Sequence, residues 1–160
     1  MRKKALIITF LLGLLGIDPS HAEGGLSVGV GAGALYSGIG VNVGMRGENT
    51  FGYLAAGCIG IGYSNNEGWK LPCGVGAGWI WTDVLAKANN RHGLGIYVGP
   101  VGHIAVANGD WKVRYGAGLT YVYFFGDVVA RGLNLGITPA LGKEYGDYRG
   151  SLLINVGYQF

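Results

Sequence analysis

Apolar residues alternate with glycine and polar residues along most of this chain, with a period of two. Early in the pattern the apolar side chains occupy even positions from Val28 to Ala34, and then odd positions from Ile39 to Met45. Parity changes in this way where a two-residue turn joins two strands that keep their apolar side chains on one face. The pattern therefore predicts a hairpin with its turn at Ser37-Gly38 and with Ala34 opposite Val41.

Two later segments show the same pattern more strongly. Asn108-Gly109 is a preferred dipeptide for a type I′ hairpin turn, and apolar positions alternate on both sides of it. A turn at Tyr145-Gly146 places Ile137 opposite Ile154, and the neighbouring pairs are also apolar. Both segments are predicted to be antiparallel hairpins with one apolar face.

The whole pattern predicts an all-β fold, an eight-stranded antiparallel up-and-down transmembrane barrel. Eight is a small but common number of strands for a membrane barrel, and strands of about 9–11 residues are long enough to cross a bilayer. The predicted strands span residues 25–36, 39–46, 50–63, 69–83, 92–107, 110–125, 131–142 and 147–160.

The N-terminal segment has the organisation of a secretory signal peptide. Basic residues at Arg2 to Lys4 precede an apolar run from Ala5 to Ile17, and Ser20-His21-Ala22 has the small-x-small spacing of a cleavage site. The apolar run is too short for a membrane-spanning helix, so a membrane anchor is the less favoured alternative. We expect residues 1–22 to be removed and residues 23–160 to form the barrel.

Composition favours a barrel in lipid. The chain contains 33 glycines, and only 13% of its residues are charged. A lipid-embedded chain without spanning helices must pair its backbone groups in a closed barrel, with its apolar face outside. Glycine then lines the interior, where it allows tight curvature and leaves room for side chains. A water-soluble, lipocalin-like barrel would place its glycines and aromatic residues on the wrong faces.

Several polar residues share the predicted interior face. The turn at Asn108-Gly109 places His103 directly opposite Arg114. This pair could form a basic constriction that selects anions, or His103 could be catalytic, but a packed polar interior is the favoured interpretation. Because Glu144 is the only acidic candidate, we expect the interior cations to need water or an anionic ligand. The interior candidates are Tyr97, His103, Lys112, Arg114, Thr120, Arg149 and Asn155.

The two cysteines, Cys58 and Cys73, form a possible disulfide, which an exported protein can retain. A two-residue turn at Asn65-Asn66 would place them directly opposite each other. The apolar parity of the following strand instead predicts Cys58 inside and Cys73 outside, unless a bulge at Pro72 changes the register. Two cysteines without a nearby histidine do not indicate a metal site, and the period-two glycines do not form a phosphate-binding loop, so no cofactor is expected.

The chain ends in LLINVGYQF, an alternating strand whose last residue is aromatic. Val156, Tyr158 and Phe160 resemble the C-terminal signal that bacterial outer-membrane barrels present to their assembly machinery. Together with YVGPVGHI and YGAGLTYVYFF, this ending is similar to small barrels of the OmpX and OmpA-like type. The resemblance implies a bacterial outer-membrane location, contact with membrane lipid and lipopolysaccharide, and the assembly machinery as a partner.

Three functions remain open at the level of sequence. The favoured one is a non-enzymatic membrane protein that contributes to envelope structure. The alternatives are a narrow anion-preferring pore with a glycine-lined lumen and a lipid A-modifying enzyme that uses His103. Tight predicted turns at the outer end argue against a receptor with protruding loops, and the singly scattered basic residues argue against a nucleic-acid partner.

Overall fold

The structure, a computed structural model, describes residues 25–60, 62–64, 68–85, 90–105 and 111–160. The predicted signal peptide and the Asn108-Gly109 turn lie outside these residues. Eight antiparallel strands close into a barrel in the order β1-β10-β9-β8-β7-β6-β3-β2, and β4 and β5 form a separate two-stranded ribbon. The all-β fold and the closed eight-stranded antiparallel barrel are thus confirmed. The strands are β1 Leu26–Gly33, β2 Gly38–Arg46, β3 Thr50–Cys58, β4 Gly62–Ser64, β5 Gly68–Lys70, β6 Cys73–Trp81, β7 His92–Ala105, β8 Trp111–Phe124, β9 Gly132–Glu144 and β10 Asp147–Gln159.

The β9–β10 hairpin has the predicted register, including Ile137 opposite Ile154. Its turn residues Tyr145 and Gly146 both have positive φ angles, of 49° and 100°. Positive φ at both central positions is the requirement of a type I′ turn, whose twist matches that of the flanking strands. The predicted turn is therefore confirmed.

The predicted register of the β1–β2 hairpin is wrong. Val30, and not Ala34, lies opposite Val41, and the ladder ends at the pair Gly33–Gly38. The next residues, Ala34–Tyr36, leave the sheet in a 3-10 turn, and their side chains are completely buried inside the barrel. Because the shift is four residues, an even number, the outward and inward faces stay as predicted.

A β-bulge changes the register within the β7–β8 hairpin. Pro100 lies opposite Tyr115, but Gly102 lies opposite Arg114, so Val101 is an extra residue in β7. Proline cannot donate a ladder hydrogen bond and therefore tends to occur beside such irregularities. The bulge reverses the parity of β7 beyond it, and Val101 itself is buried in the core.

Large side chains fill the barrel interior, and the interior glycines leave room for them. A Cβ atom at Gly78 would lie 2.5 Å from Cζ of Tyr53, and one at Gly31 would lie 2.6 Å from Cε2 of Tyr36. The glycine-rich inner face therefore leaves room for these rings. The largest fully buried side chains are Tyr36, Tyr97, Phe51, Leu35, Ile80, Gln159, Val101, Val122, Val128, Asn42, Asn134 and Asn155.

The barrel wall differs in height around its circumference. β7 to β10 have 13 or 14 residues each, whereas β1, β2, β3 and β6 have only eight or nine. β1 begins and β10 ends at the same end of the barrel, which we call the terminal end; the other is the hairpin end. The short strands reach the terminal end, so the wall over β1 and β2 is low at the hairpin end.

Arg46 closes the terminal end from inside. Its Nη1 donates hydrogen bonds to the carbonyl oxygens of Val129 and Ala130, at 3.1 and 3.0 Å, and its Nη2 donates to that of Phe160 at 3.3 Å. Val128, in the same loop, is buried in the core. The loop between β8 and β9 thus covers this end, and the guanidinium joins it to the last residue of the chain.

A disulfide bond joins Cys58 to Cys73, which lie directly opposite each other on β3 and β6. The prediction that Cys58 points inward is wrong. On β3 the outward side chains occupy even positions such as Leu54, whereas on β6 they occupy odd positions such as Val75. Both cysteines therefore lie on the outer face, and no bulge at Pro72 is needed.

Candidate functional site

A polar cluster lies on the inner face of β8, β9 and β10, above the packed core. Arg114 Nη1 lies 2.6 Å from Glu144 Oε2, and Arg114 Nη2 donates to Ser151 Oγ, also at 2.6 Å. The three residues occupy inward positions on three consecutive strands. The Arg114 side chain is only 10% exposed, so its charge needs this partner. Glu144, the acidic candidate that the sequence indicated on this face, is therefore the counter-charge of Arg114.

Two further cations extend this cluster to the rim. Arg149 Nε lies 3.9 Å from Glu144 Oε2, and its side chain is 67% exposed. Lys112 has the inward parity of Arg114 on β8 and is exposed at the hairpin end. Asp147 lies one inward position above Arg149. Among the described residues, three cations thus share this inner wall with two carboxylates, and Glu144 is already engaged by Arg114. We call Lys112, Arg114, Glu144, Arg149 and Ser151 the rim cluster.

His103 is not part of the rim cluster, contrary to the sequence prediction. The bulge places it opposite Val113 and not opposite Arg114. Its ring lies 4.4 Å from that of Trp111, which shares the face of Val113, and the side chain is exposed. The predicted His103–Arg114 constriction is therefore wrong, and within the described residues His103 contacts Trp111 and not the interior polar candidates.

The other three interior candidates are buried and hydrogen-bonded. Tyr97 donates to the carbonyl of Pro100 at 3.0 Å. Thr120 and Thr138 share a hydrogen bond of 2.9 Å, and Asn155 Nδ2 donates to Thr138 Oγ1 at 2.9 Å. Asn155 Oδ1 also accepts from the backbone N–H of Leu35 at 3.2 Å, which holds the 3-10 turn in place. Thr120, Thr138 and Asn155 thus form an internal network, while Tyr97 is bonded separately, and both arrangements stabilise the packed interior.

Two residues with several contacts in the structure, Arg46 and Ser151, were not among the candidates predicted from the sequence. Arg46 shares the inward parity of Asn42 on β2, and Ser151 is one inward position from Arg149 on β10. Alternation alone therefore placed them inside, but it could not indicate which partners they contact across the barrel.

The C-terminal residues lie at the seam where the barrel closes. The Phe160 N–H donates to the carbonyl of Val28 at 2.8 Å, and the Phe160 ring packs against Tyr158, with centroids 4.9 Å apart. Val156 and Tyr158 lie on the outer face of β10. A role of these residues as an assembly signal stays a prediction.

No cluster of three His, Cys, Asp or Glu residues that could hold a metal ion occurs in the described part of the chain. Within the same residues, no helix is long and apolar enough to cross a membrane. Comparisons with protein families, with curated proteins and with solved structures find no match for this chain.

Proposed function

We propose that this protein is an integral barrel of a bacterial outer membrane that contributes to envelope structure and has no enzymatic activity. The observation that carries the proposal is a continuous apolar outer face bounded by aromatic side chains at both ends. On β10 the outward positions run from Tyr148 through Leu152, Ile154 and Val156 to Tyr158, and all of these side chains are exposed.

The height of this apolar face fits a bilayer. Ten residue steps separate Tyr148 from Tyr158. At about 3.3 Å per residue they cover roughly 33 Å along the strand. With a strand tilt of about 40° this corresponds to an apolar band roughly 25 Å tall, the height that membrane barrels present to lipid. Exposure of so many large apolar side chains would be unfavourable in water.

The filled interior supports a structural role. Tyr36, Tyr97 and Phe51 are at most 1% exposed, so large rings occupy the space that a pore would need. Interiors of eight-stranded barrels are just wide enough for such packing. The terminal end is proposed to face the periplasm, which places the rim cluster in the outer leaflet.

Replacing Ile154 with arginine tests whether the outer face meets lipid. In a membrane, Ile154→Arg is expected to lower the free energy of unfolding by about 2–4 kcal/mol, because an arginine near the bilayer midplane loses its hydration. The same change at an exposed position of a water-soluble barrel is expected to alter it by only about 0.5 kcal/mol. Urea unfolding from lipid vesicles measures the difference.

The matched control is Tyr148→Arg, at the end of the same strand face. There the arginine reaches the interface, and the expected cost is about 0–1 kcal/mol. Equal effects at both positions, or a wild-type chain that stays folded in water without detergent, would contradict a membrane location.

A further inference from the structure

The low part of the wall leaves a lateral opening at the hairpin end. β1 and β2 end at the pair Gly33–Gly38, whereas β10 continues up to Asp147. On the other side, β3 and β6 are joined along the chain through the separate β4–β5 ribbon. β10 flanks the opening on one side, and the two short strands β1 and β2 that lie next to it span roughly 10 Å at two strand spacings. We call this opening the notch.

One side of the notch is a strand edge without a partner strand among the described residues. The Phe160 N–H bonds to Val28, so even-numbered residues of β10 direct their backbone groups toward β1. The β1–β10 ladder ends at the pair Ala32–Val156. Beyond it, the N–H and C=O groups of Leu152, Gly150 and Tyr148 face the notch. Tyr148 lies at the interface, but Leu152 and Gly150 lie within the apolar band, where such groups cannot remain unpaired. The notch therefore needs an occupant with hydrogen-bond donors and acceptors.

The wall behind the notch is basic. β8 lies four strands around the ring from β2, so the inner face of β8 to β10 faces the opening. This face carries the rim cluster. Glu144 is engaged by Arg114 at 2.6 Å, whereas Lys112 and Arg149 are exposed. Asp147 is the first residue of β10, so the described residues of this inner wall carry three cations and two carboxylates. Charge complementarity therefore favours an anionic occupant.

The outer border of the notch is apolar. Ile39, at the start of β2, is 72% exposed, and Leu152, on the flanking edge of β10, is 65% exposed. Nothing lies within 4 Å of a Cβ atom added at Gly150, between this edge and the rim. An occupant could therefore place acyl chains against the outer face while its polar part enters the barrel.

We propose that the notch binds the phosphorylated sugar headgroup of a glycolipid from the outer leaflet. Lys112 and Arg149 donate hydrogen bonds to the phosphate oxygens. The sugar hydroxyls donate to the C=O groups and accept from the N–H groups of the open edge of β10. The acyl chains stay outside, along Ile39 and Leu152. This proposal rests on the membrane location proposed above. A simple hydrocarbon chain would leave the backbone groups unpaired, and an extended peptide would not use the basic wall.

The test uses the folded, membrane-inserted protein in phosphatidylcholine nanodiscs, with lipid A as the probe and native mass spectrometry as the readout. Arg149→Gln is expected to weaken lipid A binding about fivefold, and Lys112→Gln together with Arg149→Gln more than tenfold, through loss of charge-assisted hydrogen bonds. Lys143→Gln is the matched control. Lys143 is an exposed cation on the neighbouring strand, but it shares the outward parity of Leu141, and we expect less than a twofold change.

Four results would overturn the proposal. The first is an equal loss of binding in Arg149→Gln and Lys143→Gln, and the second is lipid A bound no more tightly than phosphatidylcholine. The third is displacement of lipid A by inorganic phosphate at equal concentration, which would indicate a free-phosphate site. The fourth is crosslinking of a photoreactive residue at position 150 to a polypeptide in cells, since that would indicate an added strand. Membrane insertion is measured separately by the heat-dependent gel shift. A chain that does not insert contradicts the proposed membrane location. An inserted chain that gives any of these four results contradicts only the proposed glycolipid binding in the notch.

Discussion

Replacing Tyr36 with alanine is expected to lower the free energy of unfolding by about 3–5 kcal/mol, because it removes a completely buried ring and leaves a cavity. The hydroxyl of Tyr36 also accepts hydrogen bonds from Asn134 Nδ2 at 2.7 Å and Gln159 Nε2 at 3.4 Å. Both amides would lose a partner inside the barrel. Since the ring fills the interior beside Gly157 and Gly31, we expect the variant to conduct ions and the wild-type protein to conduct none.

Urea unfolding from vesicles and planar-bilayer recordings measure these two effects. Tyr36→Phe is the control, because it keeps the ring and removes only the hydroxyl; we expect a loss of about 1–3 kcal/mol and no conductance. Discrete conductance steps with anion preference in the wild-type protein would favour the narrow-pore alternative over a structural barrel. An alanine variant as stable as wild type would mean that the ring does not fill the interior.

Replacing Arg46 with methionine is expected to cost roughly 3 kcal/mol, since hydrogen bonds to a charged group each contribute about 1.5–3 kcal/mol and some of the freed carbonyls will reach water. The guanidinium bonds the carbonyls of Val129, Ala130 and Phe160. Methionine preserves much of the apolar stem but none of the donors. The loop between β8 and β9 should then detach from the C-terminus.

Unfolding in urea and limited proteolysis from the terminal end detect this change. Arg46→Lys keeps the charge but not the planar fork, and it should recover less than half of the loss. Arg131→Met removes an exposed cation near the same loop and is expected to change stability by only about 0.5 kcal/mol. A similar loss in Arg131→Met and Arg46→Met would show that general charge, and not the three carbonyl contacts, matters.

The alternation of apolar residues was sufficient to predict the barrel and most of its faces, because one-residue shifts would expose the wrong side of every strand. It could not predict where strands stop. Ala34–Tyr36 continue the apolar pattern of β1, yet they turn inward, since a barrel interior accepts apolar side chains as readily as the outer face does. The four-residue error at β1–β2 follows from this, because an even shift leaves the pattern unchanged.

The candidate site shows the same limits at the level of single residues. Val101 adds one residue to β7, and a bulge of this kind interrupts a periodicity that continues normally on both sides. His103 was therefore assigned to the wrong face. Arg114 was placed inside without its partner, since Glu144 lies on the next strand of the barrel and the register between β8 and β9 depends on a long connection. Pairing across a two-residue turn, as in β9–β10, was predictable because the turn itself determines the register.

The seam between β1 and β10 has a consequence for the order of folding. Only four residue pairs join these strands, from Gly29–Gln159 to Ala32–Val156, and they are separated by more than 120 residues of chain. Closing such a long loop has a large entropic cost, and the contacts that offset this cost form only late. The thirteen pairs of the β9–β10 hairpin, in contrast, form between residues that are close in the chain. The chain should therefore pass through an open, curved sheet whose two edges meet last. Once they meet, contacts of Ser27 with Gln159 and of Arg46 with Phe160 reinforce a short ladder that would otherwise reopen first.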